Sequence, residues 1–323
     1  MEIINQPDAV GKRFYPISFK GRGAEYFGIA IVNLLLTIIT LGLYYPWAKA
    51  RQLQYLYGTT EFNDSRFEFH GTGAEMFKGF IKAILIITIL YGLTFLLVYL
   101  RMPIIGILVM YLGLFSIIPL AIHGSYKYRM SRTSWRGIRF GYRGERNELY
   151  KIFVKGILLT IVTIGIYGVW FSMNLRNYIL GKIKFGNAQF TYNGDGGKFF
   201  WMNVKGYFLT IITIGIYGFW WQKDIFNYYI DNLKLTHDDK NIDFKSTATG
   251  GDFLGLLIVN FLILIFTLGI GYPWIVARSL KFIFSKIQIT GDIDFNNLIQ
   301  TEENYTDATG DDMSDMLDIG FVV

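Results

Sequence analysis

The sequence predicts an all-α membrane protein with about six transmembrane helices in tandem repeat units and with small β-hairpins at the membrane interface. Three observations predict this fold class: a high content of apolar residues, uncharged runs long enough to cross a bilayer, and a motif that recurs. Of 323 residues, 52% are hydrophobic and 18% are aromatic, and the mean hydropathy is +0.33. A soluble domain usually carries less apolar character, so the composition favours a chain embedded in a membrane.

The predicted domain organisation has three parts. An N-terminal segment, residues 1–18, lacks the apolar stretch of a secretory signal, so the first helix is expected to direct insertion. A multi-pass membrane domain follows at 19–299. Residues 300–323 form an acidic tail that is predicted to be disordered, because its acids are unbalanced by bases and it is poor in apolar residues.

Six uncharged apolar runs are the predicted spans. About 20 apolar residues in a helix cross the hydrocarbon of a bilayer, and the two longest runs have 23 and 25 residues. Two shorter runs separated by Arg101 are expected to form a tight helical pair. The runs are 26–48, 83–100, 102–122, 156–173, 206–222 and 253–277.

Four of these runs contain one related motif, TIITLGLYYPW at 37–47, TIVTIGIYGVW at 160–170, TIITIGIYGFW at 210–220 and LIFTLGIGYPW at 264–274. Each copy ends in Trp, whose ring and N–H suit the headgroup region, so these residues are predicted to be interfacial anchors. A glycine five residues earlier is predicted to let helices pack closely. The motif is therefore interpreted as a helix exit through the interface. The anchors are Trp47, Trp170, Trp220 and Trp274, and the glycines are Gly42, Gly165, Gly215 and Gly269.

The repeated unit is larger than this motif. Each copy follows a strand-like, Phe-rich piece that ends in glycines, and five such units begin near residues 19, 69, 140, 190 and 244. This self-similarity is typical of tandem supersecondary units. Pieces such as 57–71 and 182–194 alternate apolar and polar residues around Asn, Asp or Gly, which predicts β-hairpins. Because an unpaired strand edge is excluded from hydrocarbon, the hairpins are expected at the headgroups.

Charge is distributed unevenly along the chain. The tail from Glu302 onward holds seven acidic residues and no Lys or Arg, whereas the linkers between apolar runs are basic. Basic linkers beside spans indicate the cytoplasmic face and contact with membrane lipids, and no nucleic-acid partner is expected. The tail ends in apolar residues beside a carboxylate, which suggests a protein partner that pairs with it as a strand.

Four polar residues, two within apolar runs and two directly before them, are candidates for a role inside the membrane. Asn33 and Asn260 are expected to form hydrogen bonds between helices. Lys155 and Lys205 each lie fifteen residues before a motif Trp, so their side chains are expected to extend to headgroups.

The sequence offers few residues for catalysis. There is no cysteine and there are three histidines, and no metal-ligand spacing or nucleophile–base pair is apparent. His70 with Asp64 and Glu68 is the best metal cluster available, and a solvated hairpin is the preferred interpretation. We therefore expect no catalytic, metal or cofactor site, and a protein that is not an enzyme.

Three segments resemble the YjgN family of bacterial inner-membrane proteins: TLGLYYPWAKAR at 40–51, NDSRFEFHGTGAE at 63–75 and RTSWRGIRFGYRG at 132–144. The similarity runs over about residues 14–296. It implies a multi-pass protein of the bacterial inner membrane, and it implies no activity, because the family is defined by a domain of unknown function. The third and fourth units depart from the pattern, since TIGIYGVW and TIGIYGFW lack the proline.

Two functional hypotheses follow. The first is a non-enzymatic membrane scaffold or assembly protein, supported by the repeated units and by the acidic tail. The alternative is a transporter or pore of unknown substrate, which repeats of alternating orientation in the membrane would favour.

Overall fold

A computed structural model describes residues 13–301 of the chain. The predictions for the tail therefore fall almost entirely outside the described residues, as do those for most of the N-terminal segment. Within the described range, pairs of strands alternate with pairs of helices. The strands are β1 (Arg13–Phe14), β2 (Ile17–Phe19), β3 (Thr60–Phe62), β4 (Ser65–Phe69), β5 (Thr133–Trp135), β6 (Ile138–Tyr142), β7 (Ile183–Phe185), β8 (Ala188–Tyr192), β9 (Leu233–His237), β10 (Lys240–Ser246) and β11 (Ile287–Gly291).

The helices form five antiparallel hairpins. Four are short and consist of a 17-residue first helix and a 14-residue second helix, whereas the α3–α4 hairpin is long. The helices are α1 (Gly23–Ile39), α2 (Tyr45–Gly58), α3 (Gly73–Tyr99), α4 (Pro103–Ser131), α5 (Arg146–Val162), α6 (Gly168–Gly181), α7 (Gly196–Ile212), α8 (Gly218–Asp231), α9 (Gly250–Phe266) and α10 (Tyr272–Ser285).

The predicted fold class is wrong in two respects. Only two of the described helices, α3 and α4, are long and apolar enough to cross a membrane. The runs 26–48, 156–173, 206–222 and 253–277 each reverse direction at the recurrent motif, so each is a helical hairpin and not a span. A 17-residue helix is only about 25 Å long, whereas the 27 residues of α3 extend about 40 Å.

The second error concerns the strands, which form one sheet in place of small separate hairpins. All eleven described strands pair antiparallel in the order β1-β11-β10-β9-β8-β7-β6-β5-β4-β3-β2. An unpaired strand edge can form hydrogen bonds with another strand. Here the edge strands of each β-hairpin pair with strands of the neighbouring hairpins. The local alternation pattern identified strand pairs at 57–71 and 182–194 but contained no information on this pairing.

The sheet closes on itself through the N-terminal strands. The two edge strands, β1 and β2, are separated in the chain only by Tyr15 and Pro16. The Tyr15 amide donates to Ile289 O at 2.9 Å on one side, and Asn63 N donates to Pro16 O at 2.8 Å on the other. The sheet must therefore curl until its ends meet.

Helices and strand turns lie at opposite ends of this curled sheet. Every strand neighbour is antiparallel, each even-numbered strand leads into a first helix, and each second helix leads into an odd-numbered strand. All five helical hairpins therefore leave the same end. The interior is lined mainly by buried apolar side chains of the strands, among them Phe62, Trp135, Phe185, Leu235 and Ile242.

Candidate functional site

The tips of the four short hairpins share one backbone conformation. In the first, Leu41 N donates to Ile38 O and Gly42 N donates to Thr37 O at 2.7 Å, the two hydrogen bonds of a Schellman motif. The four glycines of the recurrent motif have φ between 87° and 92°. Gly42 and its three counterparts would direct a Cβ into open space, so their positive φ gives them a conformational role at the tips. The close helix packing expected of them from the sequence stays a prediction.

A threonine joins the two helices of each short hairpin. The hydroxyl of Thr213 donates to Leu209 O at 2.7 Å and accepts from Tyr217 N at 2.8 Å, so it links the end of α7 to the beginning of α8. The same pair of bonds is made by Thr40, Thr163 and Thr267. The threonines thereby satisfy amides that a helix end leaves without partners.

The residue before each of these glycines is apolar, exposed and left-handed. Leu41, Ile164, Ile214 and Leu268 have φ between 49° and 51°, and 91–94% of their surface is exposed. The left-handed region is unfavourable for a residue with a Cβ, and most of all for a β-branched one. At the tip of the long hairpin, the residue in this conformation is Arg101, with φ 62°.

The four motif tryptophans connect neighbouring hairpins. Trp47 lies against Gly73, where an added Cβ would come 2.7 Å from Trp47 Cα. Each ring lies on the glycine that begins the first helix of another hairpin, and Trp274 returns to Gly23 of α1. Trp47, Trp220 and Trp274 remain 36–40% exposed, so each of these rings is covered on one face. The four pairs are Trp47–Gly73, Trp170–Gly196, Trp220–Gly250 and Trp274–Gly23.

The polar candidates lie in the first helices of the short hairpins. Asn33 is buried and donates to Ala48 O at 3.1 Å, across the α1–α2 hairpin. Asn260 donates to Ser279 Oγ at 3.0 Å, across α9–α10. Lys155 and Lys205 are exposed, nine residues or about 14 Å before the apolar tips of their hairpins.

Sequence analysis missed two sets of residues that build the hairpins. Gly156 and Gly206 occupy the position that Asn33 has in α1, and a Cβ there would collide with the rings of Phe171 and Trp221. The sequence signal for this contact is a small residue in the first helix of a hairpin together with an aromatic residue directly after the motif Trp of the second helix. In addition, a tyrosine of the second helix bonds the backbone at the start of the first, as in Tyr178 with Glu145 at 2.7 and 3.0 Å.

A large apolar cavity, which we term the chamber, lies inside the curled sheet. Its volume is about 650 Å³. The walls are strand side chains, and the roof consists of α2, α4 and α10, which contribute Leu53, Met130 and Leu280 among others. Two cations, Lys49 of α2 and Arg129 of α4, line the chamber, and no carboxylate is among the described residues that surround it.

The segment 292–301, which we term the plug, closes the turn end of the sheet. Ile293 and Phe295 are buried in the sheet interior, and the Tyr15 hydroxyl donates to Ile293 O at 2.7 Å. Burial raises the pKa of Tyr15, so the phenol stays protonated and retains this bond. Thr301 donates to Gly186 O at 2.7 Å, at the turn between β7 and β8. The plug thus separates the chamber from the turns.

The described residues hold no group of three or more His, Cys, Asp or Glu side chains placed to bind a metal. His70 contacts Ser134 Oγ at 2.8 Å and Glu68 at 3.6 Å on neighbouring strands β4 and β5. These contacts connect two strands.

Comparison with known proteins identifies relatives. The family described as "Bacterial protein of unknown function (DUF898)" matches residues 14–205 and 221–316. The inner membrane protein YjgN of Escherichia coli O157:H7 is 34% identical over 170 residues, which are 53% of this chain and 40% of that protein. For YjgN of Escherichia coli strain K12 the identity is 33% with the same coverage. For YjgN of Salmonella typhimurium strain LT2 it is 30% over 172 residues, 53% of this chain and 42% of that protein.

The match covers less than half the length of these relatives. The resemblance carried by the three sequence segments is confirmed. No solved structure matches the chain.

Proposed function

The chain belongs to the DUF898 family of bacterial proteins, and from this membership we propose that it is an inner-membrane protein that inserts its five helical hairpins from one side. The curated relatives are inner membrane proteins by name, which supports this location. The long hairpin crosses the bilayer and returns, and the four short hairpins enter the hydrocarbon and return without crossing it.

The observation that carries this proposal is the identity of the tip residues. Leu41 and Ile164 are more than 90% exposed. Such exposure of an apolar side chain is unfavourable in water and is removed in hydrocarbon, where burial of the side chain is worth about 1.5–3 kcal/mol. Arg101 takes their place at the tip of the hairpin that is long enough to reach the opposite headgroups, where a charge is tolerated. The exposed residue at the tip is therefore apolar in the short hairpins and charged in the long one.

A single orientation for all hairpins agrees with the charge distribution. Because every helical hairpin enters and returns, all basic linkers stay on the sheet side, which the excess of Lys and Arg favours as cytoplasmic. A transporter was favoured only if the repeat units alternate in their orientation across the membrane. The units here share one sheet, and the strands of one sheet cannot lie on both sides of a membrane. We therefore retain the other hypothesis, a non-enzymatic scaffold anchored by its hairpins.

Within this proposal the internal repeat is the product of tandem duplication, and the acidic tail is the segment that binds a protein partner. The repeated order of strand pair and helix pair supports the first statement. The seven acids after residue 301 support the second, since they follow in the chain directly after the plug, which lies on the proposed cytoplasmic side.

Cysteine labelling tests the topology, because the chain contains no cysteine of its own. A membrane-impermeant maleimide is applied to spheroplasts and to inverted vesicles that carry single variants. We expect Ser65→Cys and Asn193→Cys to react only in inverted vesicles and Arg101→Cys only in spheroplasts. Ile164→Cys, at the tip of a short hairpin, should react in neither, because hydrocarbon excludes the reagent.

Labelling in denaturant is the control for all four variants, since each thiol must then react. Reaction of Ile164→Cys in spheroplasts would show that a short hairpin crosses the bilayer. Reaction of Ser65→Cys and Asn193→Cys from opposite sides would eliminate one-sided insertion.

A further inference from the structure

The chamber is closed at the turn end of the sheet and accessible from the helix end. In β8, Ala188 is fully buried, whereas Phe190, two residues nearer the helices, is only partly buried. Ile242 and Phe244 of β10 show the same change in exposure along the strand. Below them the floor is closed by Phe295 of the plug, which is buried. A ligand would therefore enter the chamber from the side of the helices.

The wall of the chamber is a belt of phenylalanines. Phe67, Phe140, Phe190 and Phe244 come one from each of β4, β6, β8 and β10, and all four line the chamber. Neighbouring ring centroids are 6.1, 6.5 and 6.4 Å apart. All four rings are only partly buried, so together they present a continuous apolar surface to the space inside the sheet.

The polar side chains of the described lining are confined to the helix end. Every strand residue that lines the chamber is aliphatic or aromatic except the first residues of β3 and β5, which follow α2 and α4 in the chain. The other polar residues of the lining belong to α2 and α4 themselves. The polar set is Lys49, Gln52, Tyr57, Thr60, Arg129 and Thr133. An apolar interior with a polar rim fits an amphiphile whose chain points away from the helices.

The volume of the chamber limits the size of its occupant. Protein interiors are close-packed and hold few voids larger than a water molecule, whereas the chamber has a volume of about 650 Å³, within the 300–1,000 Å³ range that is usual for ligand pockets. At about 30 Å³ for each water-sized group, it has room for roughly 20 non-hydrogen atoms. One long hydrocarbon chain has this size, whereas the two chains of a phospholipid do not fit together.

We propose that the chamber binds one long hydrocarbon chain, the acyl chain of a membrane lipid. The chain lies against the phenylalanine belt with its end at the floor, where it removes apolar surface from water, and the polar end of the lipid stays at the rim. The roof helices α2, α4 and α10 belong to hairpins that enter the bilayer in the proposed topology, so the lipid comes from the membrane. This source rests on the proposed function, whereas the fit of the chain to the chamber does not.

Photocrosslinking of the full chain in native membranes tests the occupant without detergent. The photoreactive residue p-benzoylphenylalanine, which inserts into nearby C–H bonds, replaces Phe190, and lipid adducts are measured by mass spectrometry after irradiation. The matched control is Gln189, the exposed neighbour of Phe190 in β8, whose side chain lies on the opposite face of the sheet. We expect roughly tenfold more lipid adduct at Phe190 than at Gln189, because only one face lines the chamber. Equal yields at the two positions would overturn the proposal.

The mass of the adduct identifies the occupant. An adduct with a phospholipid or with a free fatty acid supports the proposal, because both carry an acyl chain, and the mass distinguishes these two sources. A crosslink from Phe190 to the segment 302–323 in place of a lipid would overturn the proposal, since the chamber would then hold part of the protein itself.

A reporter at Ile164, at the tip of a short hairpin, separates this proposal from the proposed topology. The same photoreactive residue at Ile164 should form lipid adducts if the hairpin enters the hydrocarbon. Adducts at Ile164 without any at Phe190 would overturn the chamber proposal and leave membrane entry supported. Adducts at Phe190 without any at Ile164 would overturn membrane entry and leave the chamber proposal supported.

A second reporter and a blocking variant keep the test decisive if replacement of Phe190 prevents folding. Phe244 of β10 belongs to the same belt and should form the same adduct. Combined with either reporter, Leu56→Trp adds an indole to the chamber lining, and its folding is checked by thermal melting. We expect the folded variant to lose the lipid adduct. An unchanged adduct yield in that variant would show that the chain lies outside the chamber and would overturn the proposal.

Discussion

The contact between Trp274 and Gly23 shows at the scale of single residues how the ring of hairpins is held. Trp274 packs on the first residue of α1, close enough that no side chain fits between them, and Phe27 covers the same indole with ring centroids 4.9 Å apart. An indole buries a large apolar area, and glycine allows that area to meet backbone directly. The interfacial role predicted for the Trp side chains remains a prediction, to which the structure adds this contact between hairpins.

Two glycines of α1 provide a matched pair for this contact. Gly23→Ala places a Cβ 2.9 Å from Trp274 Cα, whereas Gly28→Ala meets no atom within 4 Å. We expect Gly23→Ala to destabilise the protein by about 1–3 kcal/mol through overpacking. Gly28→Ala should be neutral or stabilising by about 0.5–1 kcal/mol, because alanine lowers the conformational entropy of the unfolded chain. Thermal unfolding in detergent measures both, and equal melting temperatures would exclude the close contact.

At the scale of the element, the reversal within each apolar run distinguishes a short hairpin from a span. The four tips contain nine-tenths exposed Leu or Ile, so the turn is as apolar as the helices on either side. Hydropathy therefore does not detect it. The signals that do are the glycine with positive φ and the threonine that accepts from the first amides of the second helix.

Two threonines at the end of α7, Thr210 within the helix and Thr213 directly after it, test this role of the hydroxyl. Thr213→Val removes the acceptor of Tyr217 N and leaves an amide without a partner, which costs about 1–3 kcal/mol. Thr210 lies three residues earlier, and its buried hydroxyl has no hydrogen-bond partner. We expect Thr213→Val to lower the melting temperature in detergent and Thr210→Val to leave it unchanged or raise it. A larger loss for Thr210→Val would refute the assignment.

At the scale of the whole molecule, the two ends of the described chain complete the sheet. Residues 13–19 join β11 to β3, and the plug returns through the interior to meet Tyr15 and the β7–β8 turn. The helices follow the same closure, since α10 packs on α1 and on β2. Such closure leaves no open sheet edge among the described strands.

A truncation series separates the plug from the tail. Deletion of 302–323 should leave membrane insertion and the melting temperature unchanged and remove at least one protein crosslinked in cells, as expected for a recruiting tail. Deletion of 292–323 also removes Ile293, Phe295 and Leu298 from the core. At about 1.5–3 kcal/mol for each side chain, it should destabilise the protein by roughly 5–9 kcal/mol.

The shorter deletion is the control for the longer one. Equal melting temperatures for both would show that the plug contributes nothing to the core. Crosslinked partners that are identical before and after deletion of 302–323 would remove the proposed role of the tail.

The sequence by itself determined which residues are apolar, that strand pairs lie within 57–71 and 182–194 and that one motif recurs four times, because these are local properties of composition and period. It also determined the family, through segments such as TSWRGIRF at 133–140. A uniform apolar run, however, predicts a span whether or not the helix reverses inside it. Hydropathy alone therefore gave about six spans, whereas two of the helices that the structure describes qualify.

Only the tertiary structure decided how these elements combine. The pairing of β1 with β11 joins residues 13 and 291, and the chamber is lined from β2 to the plug, so both depend on contacts between residues far apart in the chain. The local sequence does not specify which strand edges pair with each other, because the hydrogen bonds between strands are made by backbone groups and not by side chains. The packing of the whole closed sheet and its helices determines which strand edges pair. The chamber therefore forms only when the sheet has closed.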